Sequence, residues 1–570
     1  MLKILDLYPL KAQFGPGEAL CFQLETNESA AGYLVEVVLT HLHLELAKET
    51  FPLEEGRYHT LHLATSFEKS AGYGLVAKLS TFQGEILDHM STAFDVAHHF
   101  GEAPRYGFLC DFGPEQLGDV EDIEFLNKMH INLVQFYDWM YRHDKLVSEE
   151  PIYTDPLGRT MSQAVIQEKI KKAHEHGMQT IGYGAIYASL GDFFEEHRDW
   201  GLYQNDGTVY SLAEIFHIMD ISPGSPWNSH IIEEFRKVIR FGFDGIHLDQ
   251  YGFPKKALNS KGEVVDLACC FTPFISEVRE AVAQERDDVA LIFNNVSNFP
   301  TYATANAKQD VIYIEVWSPI TEYRDLKLLI DQARHHGSHN ETPKQVILAA
   351  YLAAFQAKSE FSQREAEVGA LLTMAVIFAS GAYHLLFGEN KRVLTEGYYP
   401  NNGGMSDVFV QEVRGYYDFI VRYRELLFSA DLVDLSLTHT GGYSKEIGRD
   451  NEFEFAADGV VFSPHGDLDT VWTIVKENSD HVVINLINLL GVEDGCWNAG
   501  KKATPQPVEK IRVRALIPEG VAGVHYASPS CNHGQLQELE AKRVKSTNGH
   551  MFEVELPRLD LWGMVYFVKN

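Results

Sequence analysis

Two carboxylates stand inside otherwise apolar runs. Asp249 falls near the end of GFDGIHLDQYG, where Ile246 and Leu248 alternate around His247. Glu315 sits in VIYIEVWSP, between Ile314 and Val316. A charged side chain in such a run is costly unless it faces a polar site or a partner. Taken singly, each reads as readily as a structural group, a strand-end cap or half of a buried ion pair, as a catalytic one. Taken together they meet a chemical demand. Glycoside hydrolysis needs two carboxyl groups astride the scissile bond. One attacks the anomeric carbon or activates water, and the other protonates the leaving oxygen; in retaining enzymes they stand about 5–5.5 Å apart. On this reading Asp249 is ionised, hydrogen-bonded and nucleophilic. Glu315 keeps its proton near neutral pH, its pKa raised by apolar neighbours such as Trp317 and by the charge of Asp249.

Other side chains suit a sugar. Tyr137-Asp138-Trp139, followed by Arg142 and His143, can hold hydroxyls and stack a pyranose ring; the plainer reading is core aromatics with a surface ion pair. Asn294 and Asn295 fit sugar hydroxyls or cap a strand end. His247, Tyr187, Tyr351 and Glu389 complete the set of groups expected around a substrate, although the tyrosines are as readily packing residues. His217 and Asp220, in FHIMDISPGSPW, precede a helix, and Asp220 is more simply a residue near its N-terminus.

These residues need a scaffold that brings them to one place. From about Arg105 to Leu427, strand-like apolar runs alternate with amphipathic helical stretches, which argues for a parallel sheet. Eight strands are expected: Tyr106–Asp111, Asn132–Asp138, Gln179–Tyr187, Gly245–Asp249, Ala290–Asn295, Val311–Val316, Val346–Tyr351 and Ala382–Gly388. In Trp227–Phe241, Ile231, Ile232, Phe235, Val238 and Ile239 recur at helical spacing, with Pro226 before the first turn and Gly242 at the end. Gln163–His176 does the same, closed by Gly177. Eight such units predict a closed (β/α)8 TIM barrel, whose chemistry sits at the carboxyl ends of the strands. Asp111, Asp138, Tyr187, Asp249, Asn294, Glu315, Tyr351 and Glu389 are the residues expected there. No GxGxxG or phosphate loop supports an open doubly wound sheet.

The flanks are β-rich. Ala19–Leu24, Tyr33–Leu39 and Tyr73–Ser80, separated by turn residues, predict an N-terminal immunoglobulin-like β-sandwich over residues 1–103. The barrel follows over 104–430. Val471–Val475, His481–Leu489, Lys510–Leu516 and Met551–Glu555 predict a C-terminal β-sandwich over 431–570. The whole is thus a multidomain α/β protein, as a chain of 570 residues requires.

Composition narrows the partners. With 48 Lys plus Arg against 80 Asp plus Glu, the formal net charge is -32. Such a surface repels phosphate, so nucleic acid and anionic lipid are poor partners, whereas a neutral sugar is unaffected. The six cysteines form no CxxC pair and read as free thiols in a reducing compartment. The opening MLKILDLYPLKAQFGPGEAL has no long apolar run of the signal-peptide kind, so a cytoplasmic protein is expected. The apolar segment around Leu371–Leu386 is broken by Ser380, Gly381 and His384, which argues against a membrane span.

Longer motifs carry a family resemblance. LKAQFGPGEAL (10–20), FYDWMYRHDKLV (136–147), GFDGIHLDQYG (242–252), VIYIEVWSP (311–319), LLFGENKRVLTEGYYPNNGGM (385–405) and YYDFIVRYRELL (416–427) together resemble glycoside hydrolase family 66. That family comprises dextranases and cycloisomaltooligosaccharide glucanotransferases. The resemblance implies a three-domain layout and retaining action on α-1,6-glucosidic links of dextran or isomaltooligosaccharides. It also implies that no metal or organic cofactor takes part in the chemistry. The family's nucleophilic Asp falls on Asp249 and its acid/base Glu on Glu315. One departure stands out: Phe253-Pro254-Lys255-Lys256 occupies a position where a more acidic, glycine-rich loop is expected. No carbohydrate-binding module interrupts the barrel, as one does in the cyclising members, which favours hydrolysis or action on short oligosaccharides. The alternatives are a glucanotransferase or other transglycosylase using the same carboxylates, a retaining α-glycosidase of other specificity, and a non-catalytic glucan-binding protein.

Overall fold

The computed structural model describes residues 2–340, 342–397, 402–439, 452–546 and 549–570. Within the segment 385–405, residues 398–401 lie outside the described residues. The chain forms a multidomain, strand-rich α/β protein around an eleven-stranded curled sheet. Its strands are β1 (Tyr106–Leu109), β2 (Leu133–Phe136), β3 (Gln179–Ala185), β4 (Gly245–Asp249), β5 (Ala290–Val296), β6 (Val311–Glu315), β7 (Val346–Ala349), β8 (Tyr383–His384), β9 (Phe387–Gly388), β10 (Arg392–Leu394) and β11 (Asn402–Gly404). They lie in the order β8-β7-β6-β5-β4-β3-β2-β1-β9-β10-β11. The pairings from β8 through β1 to β9 are parallel, and β10 and β11 are antiparallel additions. β8 and β9 are two pieces of one stretch, yet His384 pairs with Leu348 of β7 while Phe387 pairs with Gly107 of β1.

Several strands end earlier than the apolar pattern predicts. β1 stops at Leu109, β2 at Phe136, β3 at Ala185 and β7 at Val346–Ala349, two residues short of the expectation in each case. The second residue beyond each of these ladders, Asp111, Asp138, Tyr187 or Tyr351, is an acid or a tyrosine.

Helices return the chain between strands: α1 (Glu121–Lys128), α2 (Gln163–Glu175), α3 (Pro226–Phe241), α4 (Leu267–Val282), α5 (Tyr323–Gly337), α6 (Gln363–Ser380) and α7 (Asp407–Arg422). Their ends follow local chemistry. In α3 the Ser225 hydroxyl accepts the Asn228 N–H, Pro226 fills the first turn, and Gly242 takes φ 127° past the last turn. α6 starts with a reciprocal Ser362–Glu365 capping box and stops at Gly381, which is left-handed at φ 96°. α6 is buried on every side from Ala366 to Ser380, because it lies between the curled sheet and the C-terminal strands. The apolar run weighed as a membrane span in the sequence is largely this helix. No described helix is long and apolar enough to cross a membrane.

The flanking regions are antiparallel. Near the N-terminus, a three-stranded and a four-stranded sheet enclose a core that includes Phe14, Phe22, Leu39, Tyr73 and Phe94. Near the C-terminus, a seven-stranded and a four-stranded sheet enclose another. There Val471 and Val475 face the local core, while Trp472 and Ile474 of the same strand face the central one. Alternation along one strand therefore supplies two cores. All six cysteines are free thiols.

A buried charge cluster ties the N-terminal sheets to the centre. Asp95, fully buried, accepts two hydrogen bonds from Arg105 at 2.8 and 3.0 Å and one from Arg424 at 3.1 Å. Arg105 also donates to the carbonyls of Ala12 and Ala103. Removing one partner of such a cluster strands the others in a dry site, a loss of about 3–5 kcal/mol. Asp95→Asn is therefore expected to lower the thermal unfolding midpoint by several degrees, read by differential scanning fluorimetry. An unchanged midpoint would contradict this account of the junction.

Candidate active site

Parallel register sets what lies in the middle of the sheet. Tyr183 of β3 pairs with His247 of β4, and Ala185 with Asp249; on β6, Tyr313 and Glu315 share one face, two residues apart. The lower level is aromatic. His247 stacks with Tyr183 (6.4 Å between centroids, 15° between planes), meets Tyr313 edge-on at 4.8 Å, and shares a 2.9 Å hydrogen bond through Nδ1 with the Tyr106 hydroxyl. Burial pushes its pKa down to about 3, so the imidazole is neutral. Asp249 and Glu315 stand above this floor.

One amide joins the two acids. Nδ2 of Asn294 donates to Asp249 Oδ1 at 2.7 Å and to Glu315 Oε2 at 3.3 Å. Both bonds share one nitrogen, so the oxygens they reach lie no farther apart than the two lengths end to end, about 6 Å. Asp249 also accepts the Tyr183 hydroxyl at 2.7 Å, and Glu315 the Tyr351 hydroxyl at 3.0 Å. Burial raises the pKa of Asp249, the charge of Glu315 adds to this, and the Asn294 and Tyr183 donors pull it back; the balance is about 7. Burial likewise raises Glu315, opposed by donors from Trp317, Asn294 and Tyr351. Both shifts run toward the protonated form, and two buried acids this close titrate as a unit. Trp317 thus acts opposite to the sequence expectation: its indole donates to Glu315 and lowers the pKa.

The pair opens into a cavity of about 840 Å³. Asp138, His143, His247, Asn294, Trp317 and Tyr351 line it together with Asp249 and Glu315. Asp138 sits at φ 48°, its carboxyl pushed up to about 7 by burial against the pull of Arg159 at 3.7 Å. His143 is buried, kept neutral by desolvation, and packs edge-on against Phe216 at 4.4 Å. Trp317, 39 % exposed, leans on Tyr351 with centroids 5.7 Å apart.

The sequence matches the model for glycosyl hydrolase family 66 over residues 9–566. The chain belongs to that family. It is a glycoside hydrolase or glycosyl-transferring enzyme. A cycloisomaltooligosaccharide glucanotransferase from Niallia circulans is 24 % identical, over 98 % of this chain and 71 % of the relative. A dextranase from Streptococcus salivarius is 21 % identical, over 88 % of this chain and 68 % of the relative. Among solved structures, a Paenibacillus sp. cycloisomaltooligosaccharide glucanotransferase in complex with cycloisomaltoheptaose superposes with TM-score 0.87 at 22 % identity, covering 99 % of this chain and 100 % of that one.

Several residues expected at the site of this family 66 chain, Asp111 among them, lie outside the cavity wall. Asn295 points away from Asn294 by strand alternation; its amide donates to Tyr313 O and its carbonyl accepts the Thr304 hydroxyl. Trp139 is core: its indole donates to Tyr183 O and its ring packs on Phe243. Arg142 is held by Asp144 and Asp192. Tyr187 is buried and ties down the loop after β4, accepting Tyr251 N–H at 2.7 Å and donating to Phe253 O at 3.0 Å. Glu389 accepts the backbone N–H groups of Cys110 and Asp111, which joins the chain after β9 to the end of β1. His217 stacks on Phe194, and Asp220 accepts from Ser222. Sequence reasoning missed Tyr183, which holds Asp249, and Gly397, where an added Cβ would come within 2.9 Å of Glu315 Oε1. The signal for Tyr183 was available: it shares strand parity with Ala185, the partner of Asp249.

Raised acid pKa values mean that the folded chain keeps protons the unfolded chain has lost. The stability of such a group is intact below pH about 4 and is lost as the pH rises through about 7. Asp249→Asn removes this loss. Its unfolding midpoint relative to wild type is expected to climb between pH 4 and 7, by the equivalent of about 2–4 kcal/mol, and then to level off. A pH-independent difference in thermal melts would refute the raised pKa.

Proposed function

We propose that this enzyme cleaves α-1,6-glucosidic links of dextran or isomaltooligosaccharides with retention, Asp249 acting as nucleophile and Glu315 as general acid/base. The observation that carries this reading is the Asn294 amide shared by the two carboxyls. It keeps their facing oxygens within about 6 Å. That span suits the 5–5.5 Å spacing of retaining pairs and falls short of the roughly 6.5–9.5 Å that leaves room for water in inverting ones. The relatives supply the substrate class: one acts as a dextranase and others as cycloisomaltooligosaccharide glucanotransferases.

The chemistry needs one proton on the pair. Burial raises Asp249 most; when Glu315 holds the proton its added repulsion is gone, and the donors from Asn294, Tyr183 and the Gln250 N–H oppose the burial and favour the ionised Asp249. Asp249 attacks the anomeric carbon while Glu315 protonates the departing oxygen. Glu315, now a base, takes a proton from the next nucleophile, which releases the sugar from Asp249. Asp138, His143, Trp317 and Tyr351 are placed to bind glucosyl hydroxyls and ring faces. Transfer to a sugar hydroxyl remains the second reading, because a glucanotransferase aligns with nearly the whole chain.

The architecture that fits this role is a closed (β/α)8 barrel over 104–430. The pairing of β8 and β9, from one stretch, with β7 and β1 supports closure. We assign residues 1–103 to an immunoglobulin-like sandwich and 431–570 to a C-terminal sandwich.

Asp249→Ala and Glu315→Gln are each expected to lower kcat on isomaltooligosaccharides by about 10³-fold or more, with circular dichroism unchanged. Azide should partly rescue Asp249→Gly and yield a glycosyl azide of inverted configuration. NMR of fresh product should show the α-anomer first; a β-anomer would sink the retaining mechanism. Mass spectrometry of the products separates linear from cyclic sugars and so decides between hydrolysis and transfer.

A further inference from the structure

We propose that Lys255 makes the cleft selective for α-glucosides that carry an anionic group, a phosphate or a carboxylate, on a sugar unit near the scissile bond. The inference rests on the glycosidase reading above and narrows its substrate.

Two adjacent lysines follow β4, and they differ in their surroundings. Lys256 faces away to an ordinary surface pair with Asp266 at 3.1 Å. Lys255 lines the cavity, and its ammonium lies 4.7 Å from the centroid of the Phe299 ring, another cavity residue. Among the described residues no carboxylate lies within ion-pair distance of it. In a chain with a formal charge of -32, a cation left to an aromatic face at the cleft wall is unexpected if it serves only the fold.

The loop that carries Lys255 is anchored at several points. The Tyr187 hydroxyl holds Tyr251 N and Phe253 O. The Gln250 side chain accepts Gly252 N–H at 2.7 Å and donates to Asn294 O and Phe299 O. Lys255 O accepts the N–H of Leu267 at the head of α4. Gln250 thereby fixes both the lysine's loop and the Phe299 segment against β5, so the backbone that presents the exposed Lys255 side chain is held in place. The acids of the cleft have partners of their own: Arg159 clamps Asp155 and lies 3.7 Å from Asp138, and Asn294, Tyr183 and Tyr351 bind Asp249 and Glu315. A phosphate or carboxylate reaching the Lys255 edge meets a charge-assisted donor instead of a wall of anions.

The test compares isomaltotriose with isomaltosides bearing a 6-phosphate or a glucuronyl unit. Wild-type kcat/KM should favour at least one anionic series over the neutral one by about tenfold. Lys255→Met should reduce that ratio about tenfold, mainly through KM; Lys255→Arg should retain it; and added salt should erode it. A response confined to the phosphate or to the uronate series identifies the anion. A ratio near one in wild type, or a ratio unmoved by Lys255→Met, overturns the inference and leaves the glycosidase reading standing. Failure to cleave any of the sugars overturns both.

Discussion

One amide nitrogen, Nδ2 of Asn294, holds two buried carboxyls whose burial disfavours charge on both. Most of the site follows from that constraint. A donor between the acids fixes their separation and lowers the cost of whichever one is ionised. Tyr183, Tyr351 and Trp317 then divide the remaining donors between the two sides. Beneath them burial keeps His247 neutral, whereas a cation there would favour the ionised form of both acids. The aromatic floor of Tyr106, Tyr183 and Tyr313 supplies the desolvation that keeps it neutral.

That arrangement demands rigidity from the sheet and tolerates distortion at its edge. The strands are buried and apolar below the site, so the three that carry Asp249, Asn294 and Glu315 are locked by register. The cost appears where the chain leaves them. Asp138, Ala213 and Ser297 line the cavity with φ values of 48°, 53° and 52°, and Glu214 and Asn298 beside them are also left-handed. Non-glycine residues in that region cost of order 1–3 kcal/mol each and persist where surrounding bonds overdetermine them. Here they let the loops double back over the acids.

The sequence revealed what depends on local pattern. Asp249 and Glu315 stood out because each interrupts an apolar run, and the order of strands and helices followed from period and capping. What it left ambiguous depended on partners far along the chain. Asn294 and Asn295 are equivalent as residue types; only the pleat sends one to the acids and the other to Thr304. Tyr183 and Tyr187 lie four apart, but β3 ends at Ala185, so the second leaves the ladder and anchors a loop. Arg142 resembled a ligand for hydroxyls until Asp144 and Asp192 were seen to occupy its guanidinium. Trp317 reads in the sequence as an apolar neighbour, whereas its side-chain hydrogen bond, a polar handle on a large ring, lowers the pKa of Glu315.

On the proposed mechanism the same pair would serve hydrolysis and transfer, so the difference between them would not lie in Asp249, Glu315 or Asn294. It would lie in what waits on the acceptor side while the sugar is bound to the nucleophile. A hydroxyl held in line by the cleft competes with water through an effective molarity of up to about 10⁵–10⁸ M, provided its ring is oriented. Orientation comes from walls that stack and grip a second sugar, and Trp317, Tyr251, Phe253 and Phe299 form such walls here. Three of these belong to segments that Tyr187 ties to the chain after β3 and Gln250 ties to β5. The aromatic walls of the cleft are therefore coupled through single side chains to the strands beside the acids.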